Sequence, residues 1–201
     1  MNKNKIIEYY SEKVKEHGAN SRGVDWNGTN SQYLRFNILS NIFEKNHNFS
    51  ILDYGCGYGE FVNYLNKEEY NDVDYLGFDI SNEMLSQAKI KHPNENFTQT
   101  IPKNFKTDYT ILSGTLHIKL STPPDEWKAH IIKTLNHLND ISRKGFSFNL
   151  LTSYSDEEYK KDRLYYASPE EIFKYCKLNF SRNVLLDHSY DLYEFTIFVK
   201  K

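Results

Sequence analysis

The apolar positions of this chain fall in short periodic stretches separated by polar segments. Ile6, Ile7, Tyr10 and Val14 recur at roughly helical spacing and predict a short amphipathic helix over 5–17. The polar stretch HGANSRGVDWNGTNSQ follows and carries Trp26. Helical period returns over 31–45, where Leu34, Ile38, Ile42 and Phe43 form one stripe. Residues 50–54 read as a buried strand and 60–65 as the helix after it. Residues 74–80 read as a second strand, with Ser81 the N-cap of a helix over 82–91 that ends near Pro93. Residues 96–100 make a weak third strand and 108–113 a fourth. Pro123 and Pro124 precede a long helix over 125–141, with Trp127, Ile131, Leu135 and Leu138 on one face. Residues 145–151 read as a fifth strand. After the polar TSYSDEEYKKDRLYYA, Ser168 as cap and Pro169 at the first helical position open a helix to Leu178. Residues 182–188 and 192–200 complete the chain as two strands.

Strands alternating with helices predict an α/β fold whose sheet is mainly parallel and covered on both faces. The last two strands differ. A turn as short as 189–191 cannot make a parallel crossover, so that pair is expected to be an antiparallel hairpin at one side of the sheet. The pattern thus predicts seven strands. No repeat and no low-complexity linker interrupts it. One domain over 1–201 is expected, with a helix and capping loop over 1–30 and the α/β core over 31–201.

Composition narrows the function classes. Aromatic residues make up 15% of the 201 positions, with 16 Tyr and 13 Phe, so an aromatic core and aromatic pockets are expected. The net charge is −2, and no block of Lys or Arg offers a footprint for nucleic acid. The start, MNKNKIIEYY, lacks the apolar segment of a secretory signal, and no apolar run approaches the roughly 20 residues of a membrane span. Two cysteines, Cys56 and Cys176, do not suggest a disulfide framework and fit a reducing cytoplasm.

The chemistry is concentrated in ILDYGCGYGEF at 51–61. Three glycines, Gly55, Gly57 and Gly59, stand within five positions in a chain that has 9. Such a cluster, placed where a strand passes to a helix, lets a ligand lie against backbone N–H groups at the carboxyl edge of a parallel sheet. A dinucleotide site would have Gly-x-Gly-x-x-Gly. Here Asp53 heads the run and the third glycine comes one residue early. Asp79 stands 20 residues past Gly59, at the end of the next strand in YLGFDIS, where a carboxylate accepts both hydroxyls of a ribose. The expected ligand contains a nucleoside but need not contain a pyrophosphate.

ILDYGCGYG followed by YLGFDIS resembles the first two motifs of the class I S-adenosylmethionine-dependent methyltransferases, and the resemblance runs from about residue 31 to the end. It implies a Rossmann-like fold, S-adenosyl-L-methionine as cofactor and S-adenosyl-L-homocysteine as product. It implies that Asp53, Gly55, Cys56, Gly57 and Gly59 border the methionyl end, that Asp79 and Ile80 meet the ribose side, and that Ser113 and Gly114 touch the cofactor through backbone. DWNGTNSQYLRF, KGFSFNLLT and YYASPEEIFKYCK with DHSYDLYEFTIFV look like a smaller bacterial group found with capsule and surface-glycan genes, including those for O-methyl phosphoramidate decoration. One departure is that FTQTIPKNF has no acid to bind the adenine amino group, which leaves that contact to backbone, Gln99 or Ile101.

Several side chains carry two readings. Arg35 either pairs with the methionyl carboxylate or is a solvated helix arginine. Gln32 is either a cofactor contact or a surface residue, as is Ser31, which could also be a cap. His117 in SGTLHI is a general base or a structural histidine. Asn149 faces the acceptor or satisfies backbone at a strand end. Arg22, Trp26, Arg163, Tyr165 and Tyr166 stand in the two segments expected to cover the acceptor, and the arginines favour an anionic one. No metal-ligand pattern is visible: His130 and His137 are two helical turns apart. The expected reaction is methyl transfer to an oxygen of a small polar, anionic acceptor in capsule or surface-glycan metabolism, with no nucleic acid or membrane partner, by a monomer or homodimer. A methyltransferase of another small metabolite, a nicotinamide oxidoreductase and a non-catalytic cofactor-binding protein are the alternatives.

Overall fold

A computed structural model of the chain describes residues 3–18, 20, 28–44, 48–70 and 72–201. Its helices are α1 (Lys3–His17), α2 (Thr29–Leu39), α3 (Glu60–Lys67), α4 (Asn82–Lys91), α5 (Pro124–Ile141) and α6 (Pro169–Asn179). Its strands are β1 (Phe49–Tyr54), β2 (Val73–Phe78), β3 (Asn96–Thr98), β4 (Thr107–Leu112), β5 (Ser142–Thr152), β6 (Tyr166–Ala167), β7 (Asn183–Asp187) and β8 (Glu194–Lys200). Both serine caps form as the sequence predicts. The Ser81 hydroxyl accepts from Met84 N, and that of Ser168 from Glu171 N with Pro169 in the first turn. α2 differs from its predicted extent: it stops at Leu39, a single 3-10 turn covers Ser40–Ile42, and Phe43 is already extended. Its buried face therefore includes Phe36, Leu39 and, unexpectedly, Arg35.

The strands line up in the order β3-β2-β1-β4-β5-β8-β7. β1, β2, β3, β4 and β5 are parallel, and β8 runs antiparallel to both β5 and β7, as the short final turn requires. An eighth strand, β6, lies off this path and pairs with the end of β5 at Leu151 and Thr152. β8 occupies the other edge of β5, so β6 sits on the β4 side, just past the end of β4 at Leu112. Two residues are too few to show a period, and the polar run before them masks the strand. The Ile118–Leu164 bridge and the Tyr165 N to His117 O bond, 2.8 Å, fasten this segment onto the loop after β4.

Side-chain alternation divides the interior into two cores, one on each face of the sheet. Leu52, Leu112, Phe146 and Phe148 pack with Trp127, Ile131 and Leu135 of α5. Ile51, Ile111 and Tyr109 pack with Phe36, Phe61 and Leu85 from α2, α3 and α4. The β3–β4 connection, residues 99–106, contains no helix. Ile101 and Phe105 of that loop, with Ile6 and Tyr10 of α1, pack against the α5 side instead. Among the described residues no helix is long and apolar enough to cross a membrane.

Candidate cofactor and active site

The strand order reverses between β1 and β4, and a crevice opens there at the carboxyl edge, where open α/β sheets bind ligands. The glycine turn forms one wall. Gly55 N and Cys56 N both donate to the Phe78 carbonyl at the end of β2, at 2.7 and 3.0 Å. Gly55 has φ 85°, and a Cβ there would lie 2.2 Å from Thr115 Oγ1. Glycine is therefore required both by backbone conformation and by the approach of the β4 loop. Gly59, with φ 82°, closes the turn as the residue before α3.

Two acids stand behind this turn. Asp79 accepts from Gly57 N at 2.9 Å and from Ser81 N at 2.8 Å, so it joins the glycine turn to the start of α4. Burial pushes its carboxyl up, opposed by the N–H groups of Ser81, Gly57 and Ile80. Asp53 is more enclosed, 3% exposed, and accepts from the Tyr75 hydroxyl at 2.9 Å. Burial pushes its carboxyl up to about 7, against the Tyr75 hydrogen bond and with a further push from Asp79.

A cavity of about 340 Å³ joins these groups, within the size range of small-molecule sites. Asp53, Gly55, Cys56, Gly57, Asp79, Ile80, Ser113, Gly114 and Gln32 all line it. The Gln32 side chain is buried and its Oε1 accepts from the Tyr58 hydroxyl at 3.2 Å. The Ser113 hydroxyl is a buried oxygen with no hydrogen-bond partner among the described residues. Gly59 is not on the lining, and its part is to shape the turn. Gln99 and Ile101 are also off the lining: Gln99 Nε2 donates to the Ile80 carbonyl at 2.9 Å, and Ile101 packs on the core.

Other expected residues are placed elsewhere. Arg35 is buried, and its Nε meets both carboxylate oxygens of Glu194 at 2.8 and 2.9 Å, which is neither of the two environments read from the sequence. Asn149 has no exposed surface and bonds Gly114 N and Glu194. His117 is buried off the cavity, close to Glu194 and Arg35, and burial lowers its pKa. Arg163 offers its carbonyl to Lys119 N and Leu120 N, the Tyr166 hydroxyl accepts from Lys161 N, and Tyr165 packs on the core. None of these three lines the cavity. Arg22 and Trp26 lie outside the described residues.

The cavity also takes residues that motif reading does not find. Tyr54, Tyr58, Glu60 and Met84 come from the elements around the glycine turn, and Tyr10 from α1. Trp127, His130, Thr134 and His137 come from one face of α5, with Lys133 beside them. Their spacing of three and four residues was a usable signal: polar side chains interrupt a face that is otherwise core. The Trp127 ring is fixed by its Nε1 bond to the Leu116 carbonyl, 2.9 Å. Together the walls present three carboxylates (Asp53, Glu60, Asp79), the Lys133 ammonium, two imidazoles, aromatic rings and glycine backbone, and Glu60 is already paired with Lys91. That set offers acceptors for the hydroxyls and ammonium of a nucleoside and ring surface for its base.

Comparison with known proteins agrees. Residues 45–108 match the family profile described as a methyltransferase domain. A Mycobacterium tuberculosis (strain H37Rv) protein named as a methyltransferase, Rv1506c, is 45% identical over 156 residues, covering 76% of this chain and 93% of that protein. Among solved structures, an S-adenosylmethionine-dependent methyltransferase from Clostridium acetobutylicum shares the fold with TM-score 0.57 and 16% identity over 98% of both chains. The plantazolicin methyltransferase BpumL, solved with a pentazolic desmethylPZN analogue and S-adenosylhomocysteine, shares it with TM-score 0.62 and 13% identity over 98% of this chain and 99% of that one. With a relative this similar over nearly its whole length, and with the parallel sheet, closing hairpin and glycine turn in place, the chain belongs to the class I S-adenosylmethionine-dependent methyltransferases.

Proposed function

We propose that the cavity between β1 and β4 is where S-adenosylmethionine binds, and that the acceptor is a small anionic molecule of surface-glycan metabolism, a phosphoramidate-type group included, methylated on oxygen. The observation that carries the cofactor placement is the Ser113 hydroxyl, a buried oxygen without a partner on the same lining as the glycine turn and Asp79. A ligand hydroxyl or amine there would satisfy it. Asp79 is the residue for the ribose hydroxyls. Asp53 supplies negative charge for the ammonium and sulfonium, Glu60 being already paired with Lys91, and Gln32 and Gly114 border the methionyl end. The bound sulfonium supplies an electrophilic methyl group. The chain's own work is to hold the acceptor oxygen in line with that methyl and to exclude water. An oxygen that is already ionised needs no base, so His117, off the cavity, is not required to take a proton.

The acceptor reading rests on three supports. The segment 152–167 lies over the loop after β4 through β6 and the Ile118–Leu164 bridge, and it carries Arg163, Tyr165 and Tyr166. Tyr165 is only partly buried, which leaves ring surface for an acceptor. DWNGTNSQYLRF and YYASPEEIF resemble the surface-glycan group, which brings in Arg22 and Trp26 as further acceptor contacts. The test measures formation of S-adenosylhomocysteine against a panel of phosphorylated sugars, phosphoramidates and neutral sugars. Turnover with the anionic members is expected. Turnover confined to neutral sugars, protein or nucleic acid overturns the acceptor class. Calorimetric binding of NAD with none of S-adenosylhomocysteine overturns the cofactor placement.

A further inference from the structure

The loop after β4 borders the cavity at Ser113 and Gly114, yet its backbone is held from behind by groups that do not touch the cavity. Gly114 N donates to Asn149 Oδ1 at 2.7 Å. Asn149 Nδ2 donates to Glu194 Oε2. Both oxygens of Glu194 receive Arg35 Nε, at 2.8 and 2.9 Å, and Arg35 Nη2 pairs with Oε1. Asn149 and Glu194 are 0% and 1% exposed, and Arg35 is 8% exposed, so these bonds lie away from bulk solvent. The line runs from α2 through β8 and β5 to the β4 loop. It also reaches the glycine turn, because Thr115 Oγ1 of the same loop donates to the Tyr54 carbonyl at 3.1 Å.

We propose that Glu194 is a positioning residue for the cofactor: its carboxylate selects the orientation of the Asn149 amide, and through that amide fixes the Gly114 backbone on the cavity wall. The logic is directional. An asparagine amide has an acceptor end and a donor end. With Glu194 ionised, the NH₂ end must face the carboxylate, which leaves Oδ1 for Gly114 N. Reversed, the amide would set N–H against Gly114 N–H and oxygen against carboxylate. A buried ion pair contributes little net stability compared with an apolar replacement, but it does specify orientation. Arg35 holds the carboxylate in place from α2, the same helix that brings Gln32 to the cavity.

The inference rests on the cofactor placement proposed above, and S-adenosylhomocysteine binding to the unaltered chain separates the two: no binding there fails the placement, not the relay. Given binding, Asn149→Asp sets two carboxylates face to face and is expected to weaken S-adenosylhomocysteine at least about tenfold by calorimetry. Glu194→Gln with Asn149→Asp restores one carboxylate, one amide and the arginine in the same line. That pair is expected to recover most of the affinity that Asn149→Asp loses. A role confined to bulk packing would not be rescued by exchanging the two groups. Unchanged affinity in Asn149→Asp, or no recovery in the double variant, overturns the proposal. The unaltered chain gives a readout that does not depend on variants folding. The Gly114 amide should exchange with solvent far more slowly than the other amides of 113–117, and fast exchange at Gly114 overturns the relay equally.

Discussion

Asp53 and Glu194 are both buried carboxylates behind the carboxyl edge, 3% and 1% exposed, and the fold treats them in opposite ways. Glu194, on the β8 side, is met by Arg35 and Asn149, so its charge is balanced inside the protein. Asp53, on the β2 side, has a neutral Tyr75 hydroxyl and the second acid Asp79 nearby, and among the described residues no cation bonds it. A balanced charge is scaffold: removing either partner leaves the other stranded. An unbalanced one costs stability until something positive arrives, and Asp53 lines the cavity. The contrast separates an acid paired with a cation inside the fold from one that faces the cavity.

Breaking the balanced pair should give the largest effect. Glu194→Ala leaves the Arg35 guanidinium buried without its carboxylate and should lower unfolding free energy by about 3–5 kcal/mol, read from denaturant titration. A loss under about 1 kcal/mol would mean that water or another group already compensates Arg35. On the other side, Asp79→Ala removes the link between Gly57 N and Ser81 N together with the proposed ribose acceptor. S-adenosylhomocysteine binding should weaken by about 1–3 kcal/mol in calorimetry, and an unchanged affinity would remove Asp79 from the site.

Asp53 sharpens the comparison through pH. Its folded pKa, about 7, lies above its ordinary 3.8, so the native chain holds a proton that the unfolded chain releases. Stability of the ligand-free protein therefore contains a contribution that is full below about pH 4 and is lost as pH rises toward 7. A cationic ligand favours the ionised form and lowers that pKa in the complex. Affinity for S-adenosylmethionine, which carries the sulfonium charge, should then rise with pH from 6 to about 7.5, by up to about tenfold per unit, with protons released on binding. Asp53→Asn should flatten the profile, and a flat profile in the unaltered chain would mean that the ligand charge lies elsewhere. The smallest effect is expected at Arg163. Replacing it with Ala should raise KM for an anionic acceptor about two- to tenfold while leaving cofactor affinity intact, and loss of cofactor binding would remove it from the acceptor side.

What could be read from the sequence follows the range of the interactions involved. The glycine turn, Asp79 and the Ser81 cap lie on contiguous chain, within one β-α-β-α unit, so their spacing already places them together. The hairpin was legible for the same reason: a short turn admits one geometry. Arg35 was not. Its partner is 159 positions away on β8, and a buried arginine looks in sequence like any helix arginine until the facing strand is known. His117, Asn149 and Arg163 carry residue types suited to chemistry, but tertiary packing commits them to the loop after β4, to Glu194 and to the β6 segment. The polar face of α5 was the reverse case. Trp127, His130 and His137 were in view, but only the folded chain shows that α5 borders the cavity.

The sequence alone therefore determined the strand and helix alternation, the turn that needs glycine and the cofactor class, because these depend on backbone conformation and on residues a few positions apart. Only the tertiary structure decided which buried acid meets a cation and which meets only a hydroxyl on the cavity wall. That distinction depends on groups brought within about 4 Å from distant parts of the chain, where the loss of water makes each missing or present partner count.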